Sequence, residues 1–437
     1  MLLFCLYATI LIGLGLWDAR RARNNTAFFL NSRSSGARQV AFSLTASCIG
    51  SSSTIGMAGL AWALGAPAFW WLGAGSIGLA VLALFLAEKV RGSGAWTTPE
   101  LVGIYLGPQA RMLVAAILVP AWLALMAAQF TAMGKCTEAL TGLSPEVSLL
   151  AGSGLLILYS VLGGWASVIR SDQPQGTLFL LGLSAAAFCL WQQDPTPLAE
   201  LDLALLNADF GPDRLIYFLI IVGGSYVAGP TMFGILLSAK DRKSSVHGCG
   251  TASFILLGAS VLITALGVLC RGPVPPGTAS DDILVSAITS MPPWAGMALL
   301  VALFSAVISS ADSMLVTVST VVCNDLFQRR STALCRMVTL AFGAGGLLLS
   351  TQGHGILDLL LIGYDGYVSG VAAPVTVALL LASKPGPKHP ELGTAAIALG
   401  GLCGLAAAIT SLHAFCYAGM ALSAMLTVLA VRRKNCA

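Results

Sequence analysis

The chain contains a succession of apolar stretches that are each long enough to cross a lipid bilayer as a helix, which takes roughly 17–25 residues. Only 10% of its residues are charged and 57% are hydrophobic. Because a water-soluble fold of 437 residues needs a more charged surface, we predict an all-α polytopic membrane protein with thirteen transmembrane helices. The thirteen stretches fall at 2–18, 40–64, 67–87, 111–134, 147–165, 174–193, 213–238, 249–270, 292–322, 333–350, 355–382, 393–411 and 413–431.

The basic residues between these stretches predict the orientation of the chain. If the N-terminus lies outside, 20 of the 23 lysines and arginines fall in loops or tails on the inside, as expected for a membrane protein. The sequence therefore predicts a multi-pass protein of the cell inner (plasma) membrane with a cytoplasmic C-terminus. The net charge of +4 reflects this orientation and indicates no nucleic-acid partner, whereas the lipid bilayer is an expected one.

The ninth stretch carries unusual polarity at bilayer depth. Ser309, Ser310, Asp312 and Ser313 lie close together within residues 303–327. A carboxylate in the middle of a spanning helix normally faces a partner, an ion or the interior of a bundle. Hydroxyl oxygens on one side of a helix suit a small hard cation. We interpret this as an ion-site helix, with close packing of small residues as the alternative.

Two stretches contain helix breakers near mid-membrane. The second has a Gly and hydroxyl run at 46–54, and the seventh has glycines at 223 and 224 followed by Pro230. Interrupted spans five apart predict a 5+5 inverted repeat, in which broken helices form the binding site at the midplane. In a single domain, 1–437, residues 40–193 and 213–382 would be the two five-helix repeats, with 2–18 and 393–431 peripheral. The alternative for the second stretch is a continuous helix with a serine-rich packing face.

Other polar residues are less specific. We expect Asp172 in a short turn, 166–173, before the sixth helix, where it would be a helix N-terminal group or, alternatively, a solvated loop charge. We expect Asp365 either at the central cavity or elsewhere in the eleventh helix. The scattered cysteines have no ligand spacing and support neither a zinc site nor a disulfide framework.

Four stretches together resemble the sodium:solute symporter family, which has the leucine-transporter fold with broken first and sixth core helices. SLTASCIGSSSTIGMAGLAW (43–62) is similar to its first core helix, and YSVLGGWASVIRSDQPQG (159–176) to its Gly-Gly, Ser-Asp, Gln pattern. GPTMFGILLSAKD (229–241) is similar to its sixth core helix, and ALFSAVISSADSMLVTVSTVVCNDL (302–326) to its eighth.

The resemblance implies two groups of cation ligands. A sodium ion would bind the carbonyls of Ala46, Ile49 and Ala306 and the hydroxyls of Ser309 and Ser310. A second cation, present in some members, would lie near Asp172, Asp312 and Ser313.

The resemblance also implies a set of substrate contacts in the first, second, sixth and tenth core helices. They are Gly50, Ser53, Phe69, Trp70, Tyr226, Tyr364 and Asp365. Aromatic side chains with one acid would suit a cationic amine.

The predicted function is sodium-coupled symport of a small organic solute into the cell by alternating access, with sodium co-transported. No nucleophile or nucleotide-binding motif indicates an enzyme. The alternatives are a proton-coupled symporter of the same fold, using Asp312 or Asp365, and a non-transporting membrane sensor. The sequence does not predict the solute or the oligomeric state.

Overall fold

The computed structural model describes residues 2–21, 29–382, 386, 388–410 and 412–431. All of the regular secondary structure in these residues is helical. The long helices, numbered in chain order, are α1 Leu2–Arg21, α2 Ala37–Cys48 with Ser52–Leu64, α3 Ala66–Gly92, α4 Pro108–Thr141, α5 Pro145–Gly163, α6 Trp165–Gln193, α7 Pro212–Ser238, α8 Arg242–Leu269, α9 Pro293–Leu326, α10 Thr332–Ser350, α11 Ile356–Leu381, α12 Pro390–Thr410 and α13 His413–Val431.

The helices account for most of the predicted spans. Eleven are long and apolar enough to cross a membrane, and the bent pair of α2 makes a twelfth. In α1 the apolar part that qualifies, Cys5–Trp17, is shorter than a full span. The prediction of a polytopic helical membrane protein is confirmed, whereas the thirteenth crossing stays a prediction.

The predicted interruptions occur in both helices. The two halves of α2 meet at 66°, and Ile49 at the break has φ −100° and ψ 86°, outside helical values. In α7 the helix ends at Val227 and restarts at Pro230, which occupies the first turn of the new helix, where its missing N–H is tolerated. Broken first and sixth core helices are therefore confirmed, and the exact boundaries of the two repeats stay a prediction.

Helix α9 lies at the centre of the bundle. In its most apolar stretch 94% of the residues are buried inside the protein, and it packs along α6 and against α4 and both halves of α2. The polar face predicted for this helix therefore points into protein and not into lipid.

The predicted turn at 166–173 is wrong. Gly164, with φ +72°, ends α5, and α6 begins at once with Trp165. Asp172 therefore lies two turns inside a helix. The prediction failed because Pro174 and the polar residues around it interrupt the apolar pattern without interrupting the helix.

Candidate ion and solute site

The break in α2 frees backbone carbonyls that hydroxyl groups from two other helices bind. The Ser47 carbonyl accepts a hydrogen bond from Ser310 Oγ of α9 at 2.8 Å. The Cys48 carbonyl accepts from Ser53 Oγ at 2.9 Å and from Tyr226 Oη of α7 at 3.2 Å. A backbone opened in a membrane needs such partners, so α7 and α9 both stabilise the break.

A fourth helix binds the freed backbone donor. Ser51 N donates to Gln129 Oε1 of α4 at 3.0 Å, and Gln129 is almost completely buried. The Gln129 side-chain amide thus replaces the Ser47 carbonyl, which would accept the hydrogen bond from the Ser51 N–H in a continuous helix.

Gly50 permits this close approach. A Cβ added there would lie 2.6 Å from Ser310 Oγ and 2.7 Å from Gln129 Nε2, closer than any real side chain lies. Packing therefore requires a glycine here, because Ser310 and Gln129 are both fixed by their hydrogen bonds to the backbone at the break.

The structure brings the predicted sodium ligands to the same region. Ala46 and Ile49 flank the Ser47 carbonyl that Ser310 binds, and both are fully buried. Ala306 lies one turn before Ser310 on α9 and is also buried. Ser309 and Ser310 are 1% and 2% exposed, so neither points into lipid. Their role as ligands stays a prediction.

Ser309 joins the two predicted cation sites. Its hydroxyl donates to Asp172 Oδ1 at 2.5 Å. Asp172 Oδ2 is buried and has no hydrogen bond of normal geometry within the described part of the chain. Asp312 lies close enough to Asp172 to interact with it electrostatically. Two buried carboxylates near each other in a membrane favour a cation or a proton between them.

Ser313, the third member of the second predicted site, faces a different neighbour. Its hydroxyl lies 2.7 Å from the Ser47 hydroxyl. Ser47 therefore contacts α9 twice, through its carbonyl and through its side chain. This double contact places the half of α2 before the break, Ala37–Cys48, which is its inner half in the predicted orientation, directly against the ion-site helix.

A small buried cavity of about 30 Å³ adjoins the break, and this volume holds no more than a few water molecules. Its wall is formed by hydroxyl, amide, aromatic, sulfur-containing and aliphatic side chains, the last from Leu125 and Leu360, and includes no charged side chain of the described residues. The wall includes Ser47, Cys48, Gly50, Trp122, Gln129, Ser225, Tyr226, Thr231, Met232, Ser310, Met314 and Tyr364.

Three of the predicted substrate residues line this cavity, namely Gly50, Tyr226 and Tyr364. Ser53 instead donates to the Cys48 carbonyl. Phe69 and Trp70 lie at the start of α3, where Trp70 Nε1 donates to the Leu205 carbonyl of a loop at 3.0 Å.

Asp365 lies outside the cavity wall and accepts a hydrogen bond from Tyr217 Oη at 3.0 Å. The acid that would have favoured a cationic amine is therefore not at the cavity. The substrate roles of the seven residues stay predictions.

Several cavity residues are missing from the predicted sites, and two of them lie on a helix for which no site residue was predicted. Gln129 and Trp122 both lie on α4, and Trp122 Nε1 donates to Thr231 Oγ1 of α7 at 3.4 Å. The only signal for Gln129 in the sequence is that it is a lone amide in a long apolar stretch, which is costly in a bilayer unless it is paired.

Polar networks connect the helices at both ends of the bundle. At the predicted cytoplasmic end, the buried Asp325 carboxylate of α9 accepts from Arg111 Nε and Thr97 Oγ1, each at 2.7 Å. At the opposite end, Lys135 of α4 pairs with Asp282. Asp281 Oδ2 accepts from the N–H of Ile356, the first residue of α11, at 3.0 Å. The first network links α9 to α4, and the second links α4 and α11 to the loop before α9.

Residues 28–192 match the model of the sodium:solute symporter family. A sodium/pantothenate symporter of Escherichia coli (strain K12) is 26% identical over 382 residues, which are 77% of this chain and 76% of that protein. A sodium/glucose cotransporter of Vibrio parahaemolyticus is 21% identical over 374 residues, 75% of this chain and 68% of its own.

The fold matches known transporters over almost the whole chain. The structure of a Na⁺-coupled sialic acid symporter in a substrate-bound outward-open state aligns with a TM-score of 0.74. It covers 98% of this chain and 95% of its own, at 16% identity. By its motifs and its sequence matches the chain is similar to the sodium:solute symporter family, and it has the leucine-transporter fold.

Proposed function

We propose that this protein is a sodium-coupled symporter that moves a small organic solute across the plasma membrane by alternating access. The single observation that carries the proposal is the contact between the break in α2 and Ser310 of α9, at 2.8 Å. A freed carbonyl, that of Ser47, and the buried Ser310 hydroxyl meet there, and such oxygens are the ligands that hard cations prefer. The named relatives are themselves sodium-coupled, which supports the function predicted from the sequence.

Sodium would bind between the inner half of α2 and α9, with Ala46, Ile49, Ala306, Ser309 and Ser310 as ligands. In the structure the Ser310 hydroxyl donates to a carbonyl, and its oxygen keeps lone pairs for a cation. The ion would hold the two helices together and so favour the conformation that the solute binds. A ligand shifts such an equilibrium only by its different affinity for the two states.

The solute would occupy an expanded form of the cavity beside Gly50, Gln129 and Tyr226. Its wall is mostly apolar, has hydroxyl and amide groups and includes no charged side chain of the described residues, which suits a solute recognised by hydroxyl and amide contacts. A carboxylate on that solute would find its counter-charge in the bound sodium. Pantothenate, proline and glucose, named for relatives of this chain, are therefore the first solutes to test.

The test is uptake of labelled solutes by proteoliposomes that contain the purified chain. We expect at least one solute to accumulate inside the vesicles when an inward sodium gradient is imposed. We expect no accumulation with an equal potassium gradient at the same ionic strength. A proton gradient without sodium is the third condition, since Asp172 and Asp312 would serve a proton-coupled mechanism. Uptake driven by the proton gradient alone would contradict sodium coupling.

A further inference from the structure

A groove of about 700 Å³ runs along the outer surface of the bundle between the end of α3 and the start of α8. Its walls include Phe85 and Lys89 of α3 and His247, Gly250 and Phe254 of α8. The groove is separate from the central cavity, and neither the sodium site nor the solute site uses its residues.

The groove changes from polar to apolar along its length. Glu88, Lys89 and His247 lie at one end. Leu84 and Phe254, which are 75% and 77% exposed, lie at the other. Since α3 runs toward the polar end and α8 runs away from it, the two helices place the same end at the membrane surface. His247 and Phe254 are about 10 Å apart along the helix axis at 1.5 Å per residue.

The floor of the groove is open at Gly250. A Cβ added at this position would have no atom within 4 Å. Opposite it, α3 contains a wider π-helical turn, Leu82–Leu86, that carries the exposed Leu84 and Phe85. The result is a concave apolar channel between two helices that are long and apolar enough to cross a membrane, so that acyl chains would be available to fill it.

The polar end carries a positive charge. Lys89 Nζ donates to the Leu379 and Leu380 carbonyls at the end of α11, at 2.7 and 3.3 Å, and an ammonium has a third N–H. The nearest acid, Glu88, pairs with Arg242 at 3.3 Å. By the predicted orientation this end faces the cytoplasm, where anionic lipids attract basic residues close to a membrane helix.

We propose that this groove binds an anionic phospholipid of the cytoplasmic leaflet. The phosphate lies at Lys89, near His247, and one acyl chain follows Phe85, Gly250 and Phe254. Because Lys89 also holds the last carbonyls of α11, the lipid connects α3, α8 and the helix that carries Tyr364. The lipid therefore stabilises the packing of these three helices.

The test compares two glycine variants of the full chain, purified in detergent. Gly250→Leu places an apolar side chain in the groove from a position where an added Cβ has no atom within 4 Å. Gly258→Leu is the matched control, since Gly258 lies two turns along the same helix, outside the groove wall, and is equally open. The measurement is the change in melting temperature when phosphatidylglycerol is added, with phosphatidylcholine of the same acyl chains as reference.

We expect phosphatidylglycerol, and not phosphatidylcholine, to raise the melting temperature of the unmodified chain and of Gly258→Leu by several degrees. The increase in melting temperature caused by phosphatidylglycerol should be at most half as large in Gly250→Leu and in Lys89→Gln. It should be unchanged in Lys89→Arg. Free glycerol phosphate should have no effect. Equal responses of the two glycine variants, an equal effect of phosphatidylcholine, or an equal effect of glycerol phosphate would overturn the proposal. If Lys89→Gln does not fold, the two glycine variants alone decide it.

Discussion

Ser309 of α9 donates a hydrogen bond of 2.5 Å to the buried carboxylate of Asp172 on α6. The bond joins two side chains that the family resemblance assigned to separate cation sites. Removing one partner of a buried hydrogen bond leaves the other partner unsatisfied. Substitutions at Ser309 and Asp172 should therefore be energetically coupled.

We predict that Ser309→Ala and Asp172→Ala are not additive. Each variant should weaken the stabilisation by sodium, and the double variant should lose less than the sum by about 1 kcal/mol, since both single changes remove the same bond. The measurement is the sodium dependence of the melting temperature, with Ser350→Ala as control because that hydroxyl bonds only within α10. Strict additivity would mean that the two residues act independently.

Gly50→Ala should damage the site without altering any ligand. The new methyl group would lie 2.6 Å from Ser310 Oγ, and forcing a methyl group into a well-packed site costs about 1–3 kcal/mol. We expect at least a tenfold weaker apparent affinity for sodium, measured by thermal shift. Gly154→Ala on α5, where a Cβ has open space, should behave like the unmodified chain. Normal sodium affinity in Gly50→Ala would show that the break can move away from α9.

Gln129→Met should lower stability even without ligand. The change keeps the volume of the side chain but removes the acceptor of the Ser51 N–H, and an unpaired buried donor costs about 1–3 kcal/mol. Thermal unfolding in sodium-free buffer measures the effect. The same substitution at the exposed Gln192 is the control, and a similar small change in both variants would contradict the role given to Gln129.

Asp281, in the loop before α9, should make stability depend on pH in the acid range. Burial raises the pKa of its carboxyl, and the neighbouring Asp282 and Asp358 act in the same direction, while the Ile356 N–H and Lys135 lower it. The folded chain then holds this proton more tightly than the unfolded chain does. Stability should therefore fall as the pH rises from about 4 to the raised pKa.

The comparison variant is Asp281→Asn, which keeps an oxygen acceptor for the Ile356 N–H. Its melting temperature should fall less than that of the unmodified chain over the same pH interval. Parallel melting curves across this interval would show that Asp281 does not titrate differently on folding.

The sequence alone predicts the helical membrane fold and the two interruptions, because hydropathy and helix breakers act over short distances. The helix-breaking residues at 46–54 and Pro230 can be recognised from their residue types alone, without knowing which residues they contact. The start of α6 is not predicted correctly. Its polar residues at 166–173 resemble a loop if every membrane helix is assumed to be apolar throughout, but they lie within the helix.

The detailed site is harder to predict than the fold. Gln129 contacts Ser51 because it lies on the side of α4 that faces the protein interior. The sequence does not reveal this side, because α4 is almost uniformly apolar and has little hydrophobic periodicity. The aromatic pair Phe69 and Trp70 shows the converse problem. Aromatic side chains at the end of a span suit both a substrate and a membrane interface, and in the structure Trp70 contacts a loop.

The most direct test of the account is a sodium titration of the purified chain and of the double variant Ser309→Ala/Ser310→Ala. Both hydroxyls are buried and face the interior, so the account predicts that sodium raises the melting temperature of the unmodified chain and potassium does not. In the double variant the rise caused by sodium should disappear. An unchanged rise with the same half-saturating sodium concentration would contradict the assignment of the sodium site.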